Sequence, residues 1–255
     1  MTWEEMDNSF SDYVKGKSIA IVGPSETTAG AGNGKLIDSF DLVARVKSFL
    51  YPESMVVDIG SRTNILYTTS PKDRVDIKGY EKYHHPVTGE EAYRIEKFEG
   101  LDQYKDVGFV VSTFPRDEWF ADRYTAQFEE LKESGIVNCR FVNSESYFKA
   151  KKDVDRPNSG FSAIVDILSF DISSLHIFGI DFHRAMYRSD YRNSLMTHDT
   201  VRSFTYDKDG PDSHQPDLQY QHFKYKLWKN DPRIVPDESL MKFLNDDKYD
   251  TVYGG

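Results

Sequence analysis

Cysteine, cationic charge and long apolar runs are all scarce in this chain of 255 residues, and each shortage narrows what it can be. Cys139 is the only cysteine, so no intrachain disulfide can form and a thiolate metal cluster has no ligands. It lies in the apolar run IVNCRFV (136–142), which reads as a buried strand rather than a nucleophile's setting. Lys and Arg total 32 against 42 Asp and Glu, a formal charge of −10, which argues against a nucleic-acid partner held through its phosphates. Any anionic ligand must be held by local donors working against the overall field. No stretch approaches the roughly 20 apolar residues of a membrane span, and the opening segment lacks the apolar centre of a signal peptide, so a soluble, cytoplasmic protein is expected. Internal repeats, low-complexity tracts and long linkers are missing as well. With 38% hydrophobic residues the chain fits one domain over 1–255, in which 1–16 reads as an N-terminal extension and the polar, poorly periodic 70–105 as an irregular excursion.

Short apolar runs alternate with helical patterns. Ser18 to Val22 is a strand that runs into Gly23, Pro24 and Ser25, with Gly30, Gly32 and Gly34 close behind. A brief helix (Lys35 to Ser39) and strands at Leu42 to Val46, Asn64 to Tyr67 and Val107 to Ser112 follow. A helix is expected from Pro115 to Gly135, with Phe120, Tyr124, Phe128 and Leu131 on one face. Cys139 to Val142 reads as a strand, Phe161 to Phe170 as a helix apolar nearly all round, and Leu175 to Ile180 as a further strand. This alternation implies an α/β protein, a Rossmann-like α/β/α sandwich on a mostly parallel sheet, with ligands at the carboxyl ends of its strands.

Three stretches suit chemistry on their own terms. In GPSETTAGAGNG (23–34) glycines let backbone N–H groups approach a phosphate, although Leu36 breaks the P-loop pattern and a purely structural turn would look similar. In DRPNSGFSAIVDIL (155–168) Pro157 stiffens the entry, Asn158 or Ser159 caps the helix, and Gly160 lets a ligand lie on its first turn; an ordinary capped helix is the alternative. In SHQPDLQ (213–219) His214 precedes a helix carrying Tyr220, Phe223 and Leu227 on one face, where the positive dipole end favours neutral imidazole; a capping or surface histidine is the alternative. Asp153-Val154-Asp155 and Asp207-Lys208-Asp209 have an Asp-x-Asp spacing, but the first abuts a helix start and the second a polar turn, so no metal site is expected. His84 and His85 lack partners at ligand spacing and read as a solvated pair, as do Lys151 and Lys152.

In order and spacing these segments resemble the sialyltransferases (glycosyltransferase family 29). IVGPSETTAGAGNGKLIDSFDLVARVK (21–47) looks like the large sialyl motif, and DIGSRT (58–63) like its closing Asp-Val-Gly-Ser-Lys-Thr. RPNSGFSAIVDILSFDISSLHIFGID (156–181) is similar to the small motif, and His214 with Gln219 to the very small motif, His followed five positions later by Glu. The chain departs from the family at Pro24 and Lys47, which replace Asn, at Gln219, which replaces Glu, and at Ile19 and Asp171, which occupy the places of two cysteines joined in secreted animal members. The resemblance implies a GT-A variant fold and a metal-independent, inverting transfer with no cofactor. It implies a CMP-sugar donor, carrying sialic acid or a related 2-keto acid sugar such as Kdo, and a glycan hydroxyl as acceptor. It also implies His214 as general base and one of Tyr187, Tyr191 or His198 as hydrogen-bond donor to the leaving phosphate. The nucleotide would be held by Gly23, Pro24, Ser25, Gly32, Lys47, Asn158, Ser159, Gly160 and Gly179. Oligomeric state is left open. Two other readings remain: a nucleotide-dependent oxidoreductase holding a ribose on Asp58, and a CMP-binding module whose catalysis has decayed, marked by Gln219.

Overall fold

A computed structural model describes residues 1–47, 53–69, 71, 82–84, 91–93, 101–118, 121–188 and 214–250. The chain forms β1 (Ser18–Val22), β2 (Leu42–Val46), β3 (Ile65–Thr68), β4 (Lys82–His84), β5 (Glu91–Tyr93), β6 (Phe109–Ser112), β7 (Asn138–Phe141), β8 (Ser174–Phe178) and β9 (Ile234–Pro236). Seven of these build one sheet in the order β7-β6-β3-β2-β1-β8-β9, and every pairing in it is parallel. Among the described residues β4 and β5 pair with each other alone, as a short antiparallel ladder inside the segment 70–105. The helices are α1 (Trp3–Val14), α2 (Gly34–Ser39), α3 (Val56–Ile59), α4 (Asp122–Ser134), α5 (Ser144–Val154), α6 (Ser159–Leu168), α7 (Pro216–His222) and α8 (Glu238–Leu244). Among the described residues no helix is long and apolar enough to cross a membrane.

Both faces of the sheet are covered, which gives the α/β/α sandwich that the alternation implies. Successive strand residues point to opposite faces. In β1, Ile19 and Ile21 enter a large core shared with α1, α4, α5 and α6, while Ala20 and Val22 enter a smaller one capped by α2 and α3 through Ile37 and Ile59. With water excluded from both faces, the strands are mostly apolar, and β2 is buried at all its positions, Arg45 included. Cys139 lies in β7, where burial pushes its thiol up to about 12 and leaves it unreactive.

Two helices run where periodicity alone marked none. α1 opens on a capping box between Thr2 and Glu5 and buries Met6, Phe10 and Val14, so residues 3–14 pack onto the sheet. α5 is capped by Asn143 and buries Tyr147, Ala150 and Val154. α4 ends at Gly135 in the left-handed conformation (φ 65°) but begins at Asp122 rather than Pro115. Pro115 instead opens a turn closed by the Glu118 amide, and the buried Glu118 carboxylate turns aside to Lys151, 2.8 and 2.9 Å from its Nζ.

One buried ionic network ties the large core together. Arg140 on β7 donates to Asp166 of α6 at 2.7 Å and to Asp7 of α1 at 2.7 Å. The Tyr67 hydroxyl and the Asn143 amide also donate to Asp166, each at 2.7 Å. The guanidinium lies over the Phe10 ring at 4.6 Å. Removing one partner strands the other charge in apolar surroundings. Arg140→Ala is therefore expected to lose about 3–5 kcal/mol in urea unfolding, whereas Lys248→Ala, breaking an exposed pair with Asp246, should stay within about 0.5 kcal/mol. Equal losses would contradict the assignment.

Candidate functional site

From β1 the chain steps outward through β2, β3, β6 and β7, then returns past β1 to β8 and β9. Connections leaving β1 and β8 diverge, and in a parallel sheet this opens a crevice at their carboxyl ends. Gly23, Pro24 and Ser25 enter that crevice from β1, and Gly179, Ile180 and Asp181 enter it from β8. The two loops nest closely: Gly23 N donates to the Phe178 carbonyl at 2.8 Å and Ser25 N to the Gly179 carbonyl at 3.1 Å. A Cβ on Gly23 would collide with the Gly179 carbonyl oxygen and stand 2.5 Å from Ile180 Cγ1. Gly179 has φ 62°, and a Cβ there would stand 2.5 Å from Thr28 Cγ2. Ile180 also packs on the start of α6, where a Cβ on Gly160 would lie 3.3 Å from its Cγ2. One side chain thus joins the loop after β1 to the first turn of α6.

That first turn is capped by its own side chain and leaves two backbone amides outside the helical ladder. Asn158 Oδ1 caps the helix by accepting from Phe161 N at 2.9 Å, and the Asn158 carbonyl accepts from Ser162 N at 2.8 Å. The amides of Ser159 and Gly160 precede the first intrahelical bond, so they face outward at the positive end of the dipole. The segment 214–219 closes on the same turn. Gln219, fully buried, donates from Nε2 to the Arg156 carbonyl at 3.1 Å and accepts at Oε1 from Asn158 N at 3.2 Å. His214 Nδ1 lies 3.1 Å from that Arg156 carbonyl. A carbonyl only accepts, so Nδ1 carries the proton and the imidazole lone pair sits on Nε2.

The remaining expected residues divide. Ser25 and Tyr187 form an antiparallel bridge, because the strap 186–188 lies across the loop after β1: Glu26 N donates to the Met186 carbonyl at 2.8 Å and Arg188 N to the Pro24 carbonyl at 3.0 Å. Tyr187 therefore stands at the crevice, with its ring edge-on to His183 at 5.6 Å. Lys47 sits at the carboxyl end of β2 with φ 69°, a strained value for a side chain other than glycine. Gly32 takes a different part, since its amide and that of Gly30 each donate to Asp58 at 3.0 Å. Burial raises the Asp58 carboxyl, but those amides and Arg188 (3.1 Å) outweigh it and hold the group below its ordinary range. Asp58 is thereby committed to the glycine loop rather than offered to a ribose. Tyr191, His198, His85 and 207–209 lie outside the described residues. Asp153 is tied to Lys226 at 2.8 Å, and among the described residues no three His, Cys, Asp or Glu side chains gather to hold a metal.

Two groups in this site escape local pattern reading. Arg188 joins the strap to Asp58, and Asp181 lies buried under the crevice with the Ser25 hydroxyl 2.5 Å from its Oδ2 and His183 N 3.0 Å from its Oδ1. Burial pushes the Asp181 carboxyl up to about 7, against the lowering pull of those two hydrogen bonds. Its only signal in sequence is position, a carboxyl two residues past a glycine at the end of a buried strand.

No family model matches the chain, and no curated protein does. Among solved structures, a mammalian sialyltransferase in complex with Gal-beta-1-3GalNAc-ortho-nitrophenol is similar at 13% identity and TM-score 0.48, over 89% of this chain and 71% of that one. A second mammalian sialyltransferase structure is similar at 12% identity and TM-score 0.40, over 79% and 76%. The sialyltransferase CstII from Campylobacter jejuni, in complex with a substrate analogue, cytidine-5'-monophosphate, is similar at 11% identity and TM-score 0.47, over 89% and 87%.

The clamp at Gln219 needs a donor and an acceptor on one side chain. A carboxylate could still accept from Asn158 N but could not donate to the Arg156 carbonyl, and it would bury a charge. Gln219→Glu is expected to cost about 1–3 kcal/mol in chemical unfolding and to loosen the turn before α6. An unchanged or raised stability would contradict this role.

Proposed function

We propose that the crevice binds the cytidylate of a CMP-activated acidic sugar and that the chain is an inverting, metal-independent glycosyltransferase. One observation carries the reading: three segments far apart in sequence, each resembling a part of one nucleotide-sugar site, meet around Ile180 and the Arg156–Asn158 turn. The glycine-rich loop alone fits many nucleotide folds. Its convergence with a lysine-free helix start and a tautomer-fixed histidine fits a transferase that stabilises a leaving phosphate with backbone donors.

In this mechanism His214 Nε2 takes the proton of an acceptor hydroxyl as that oxygen attacks the anomeric carbon. The bond from that carbon to the phosphate oxygen breaks, the electron pair leaves with CMP from the opposite face, and the configuration inverts. The Arg156 carbonyl holds the imidazole in the basic tautomer and stabilises the imidazolium once formed. The amides of Ser159 and Gly160 receive the growing phosphate charge, helped by Tyr187 from the strap or by Tyr191 or His198. Pro24 and Lys47 line the edge where the nucleoside lies, Ser25 faces the phosphate from the loop after β1, and Gly23 and Gly179 shape that edge by letting two loops nest. The donor is sialic acid or a related 2-keto acid sugar such as Kdo, and the acceptor a glycan hydroxyl.

Two measurements test the reading. CMP at 100 times its Kd should stabilise the fold by about 2.7 kcal/mol in thermal unfolding, with no comparable response to UMP, GMP or NAD; a response to NAD alone would select the oxidoreductase. His214→Ala should lower transfer from a CMP-sugar by about two to four decades while CMP binding persists. Undiminished transfer would remove His214 from the role of base.

A further inference from the structure

We propose that Asp181 sets the affinity of the crevice for its anionic donor by deciding where the Ser25 hydroxyl proton points, so that donor binding takes up a proton at Asp181. The inference rests on the donor reading above. Ser25 and Asp181 are both buried, and they come from the two loops that form the crevice. A hydroxyl has one proton and two lone pairs. Ser25 Oγ gives its proton to Asp181 Oδ2 at 2.5 Å and accepts from Thr27 N at 3.2 Å and Thr27 Oγ1 at 3.0 Å. In that arrangement it has nothing left for a ligand, and a buried negative charge lies beneath the place a phosphate would occupy.

Protonation reverses both conditions. One proton from solvent adds to Asp181 Oδ2, which then donates to Ser25 Oγ; one Thr27 contact yields, and the serine proton turns into the crevice toward an anionic oxygen. Asp181 Oδ1 stays on the His183 amide, placed there by two successive residues in the left-handed region, Phe182 (φ 56°) and His183 (φ 62°).

The surrounding charges leave Asp181 without a direct cationic partner among the described residues. Arg184, on the same turn, lowers it by its field, but its guanidinium is spent on Asp217 at 2.8 Å and on the carbonyls of Phe182 and Tyr249. From the loop after β1 comes the exposed Glu26, and behind that loop lies the Asp58–Arg188 pair. From the start of α8 comes Asp237, which accepts from Gly179 N at 3.2 Å. Burial dominates, and the carboxyl stands near 7, where neutral pH populates both forms.

Calorimetric titration with CMP at pH 7.0 to 8.5 tests this, because a phosphate monoester whose second ionisation lies near about 6 is already almost fully charged there. The affinity of the unmodified protein should fall with rising pH, approaching about tenfold per unit for one linked proton. Titration at pH 8 in two buffers of different ionisation heat should show close to one proton taken up per CMP. Asp181→Asn, whose amide donates to Ser25 as the protonated acid would, should hold the high affinity within about twofold across the range. Ser25→Ala should bind weakly with the slope largely lost, although Asp181 still titrates. A flat profile with no proton uptake in the unmodified protein would overturn the proposal, and so would a full slope in Ser25→Ala; these two decide the matter if the Asp181 variant does not fold. Failure to bind CMP at every pH would overturn the donor reading itself, and this inference with it.

Discussion

Ile180 is held between two glycines, and the close nesting of the two crevice loops depends on Gly23 having no side chain. Gly23 lets the loop after β1 settle onto the carbonyl of Gly179, and Gly160 lets the first turn of α6 settle onto Ile180 from the other side. A methyl group at Gly23 would push the loops apart, since interiors this dense do not yield by ångströms. The opposite end of α6 is fixed independently. Asp166 is bound there by Arg140, Tyr67 and the Asn143 amide, so the helix that presents the Ser159 and Gly160 amides is pinned at both ends.

That rigidity has a chemical meaning. The chain carries a net charge of −10, which repels an anion at a distance. In the proposed mechanism, short-range donors already in position offset this, because they need no reorganisation when phosphate charge develops. The two amides, the histidine oriented by a backbone carbonyl and the strap bearing Tyr187 are all set by backbone hydrogen bonds. The site therefore owes its shape to chain path more than to long flexible cations, and Lys151, a nearby basic side chain, is spent on the buried Glu118.

Much of the fold is legible in the sequence because parallel strands buried on both faces are mostly apolar; β1, and β2 apart from Arg45, stand out for that reason. α1 and α5 are less legible. Each buries only a narrow stripe, Met6, Phe10 and Val14 in one and Tyr147, Ala150 and Val154 in the other, among charged residues. The displaced start of α4 accompanies a long-range pair between Glu118 and Lys151 that no local pattern contains. At the site, the glycines, the capped helix and His214 are visible as local patterns, while their partners are not. Ser25 and Asp181 are 156 positions apart and Asp58 and Arg188 are 130 apart, and only the folded chain pairs them. Gln219 shows the same limit: as a letter it is a lost carboxylate, and as a side chain it is a clamp matched to one carbonyl and one amide.

The central claim is that the loop after β1 and the start of α6 address one nucleotide. Backbone amide shifts recorded by nitrogen-15 NMR during a CMP titration test it most directly. Ser25, Ser159 and Gly160 should move together along one binding curve, and helix α4, at the β7 edge of the sheet, should stay still. Shifts confined to one of the two stretches, or centred elsewhere on the molecule, would contradict the account.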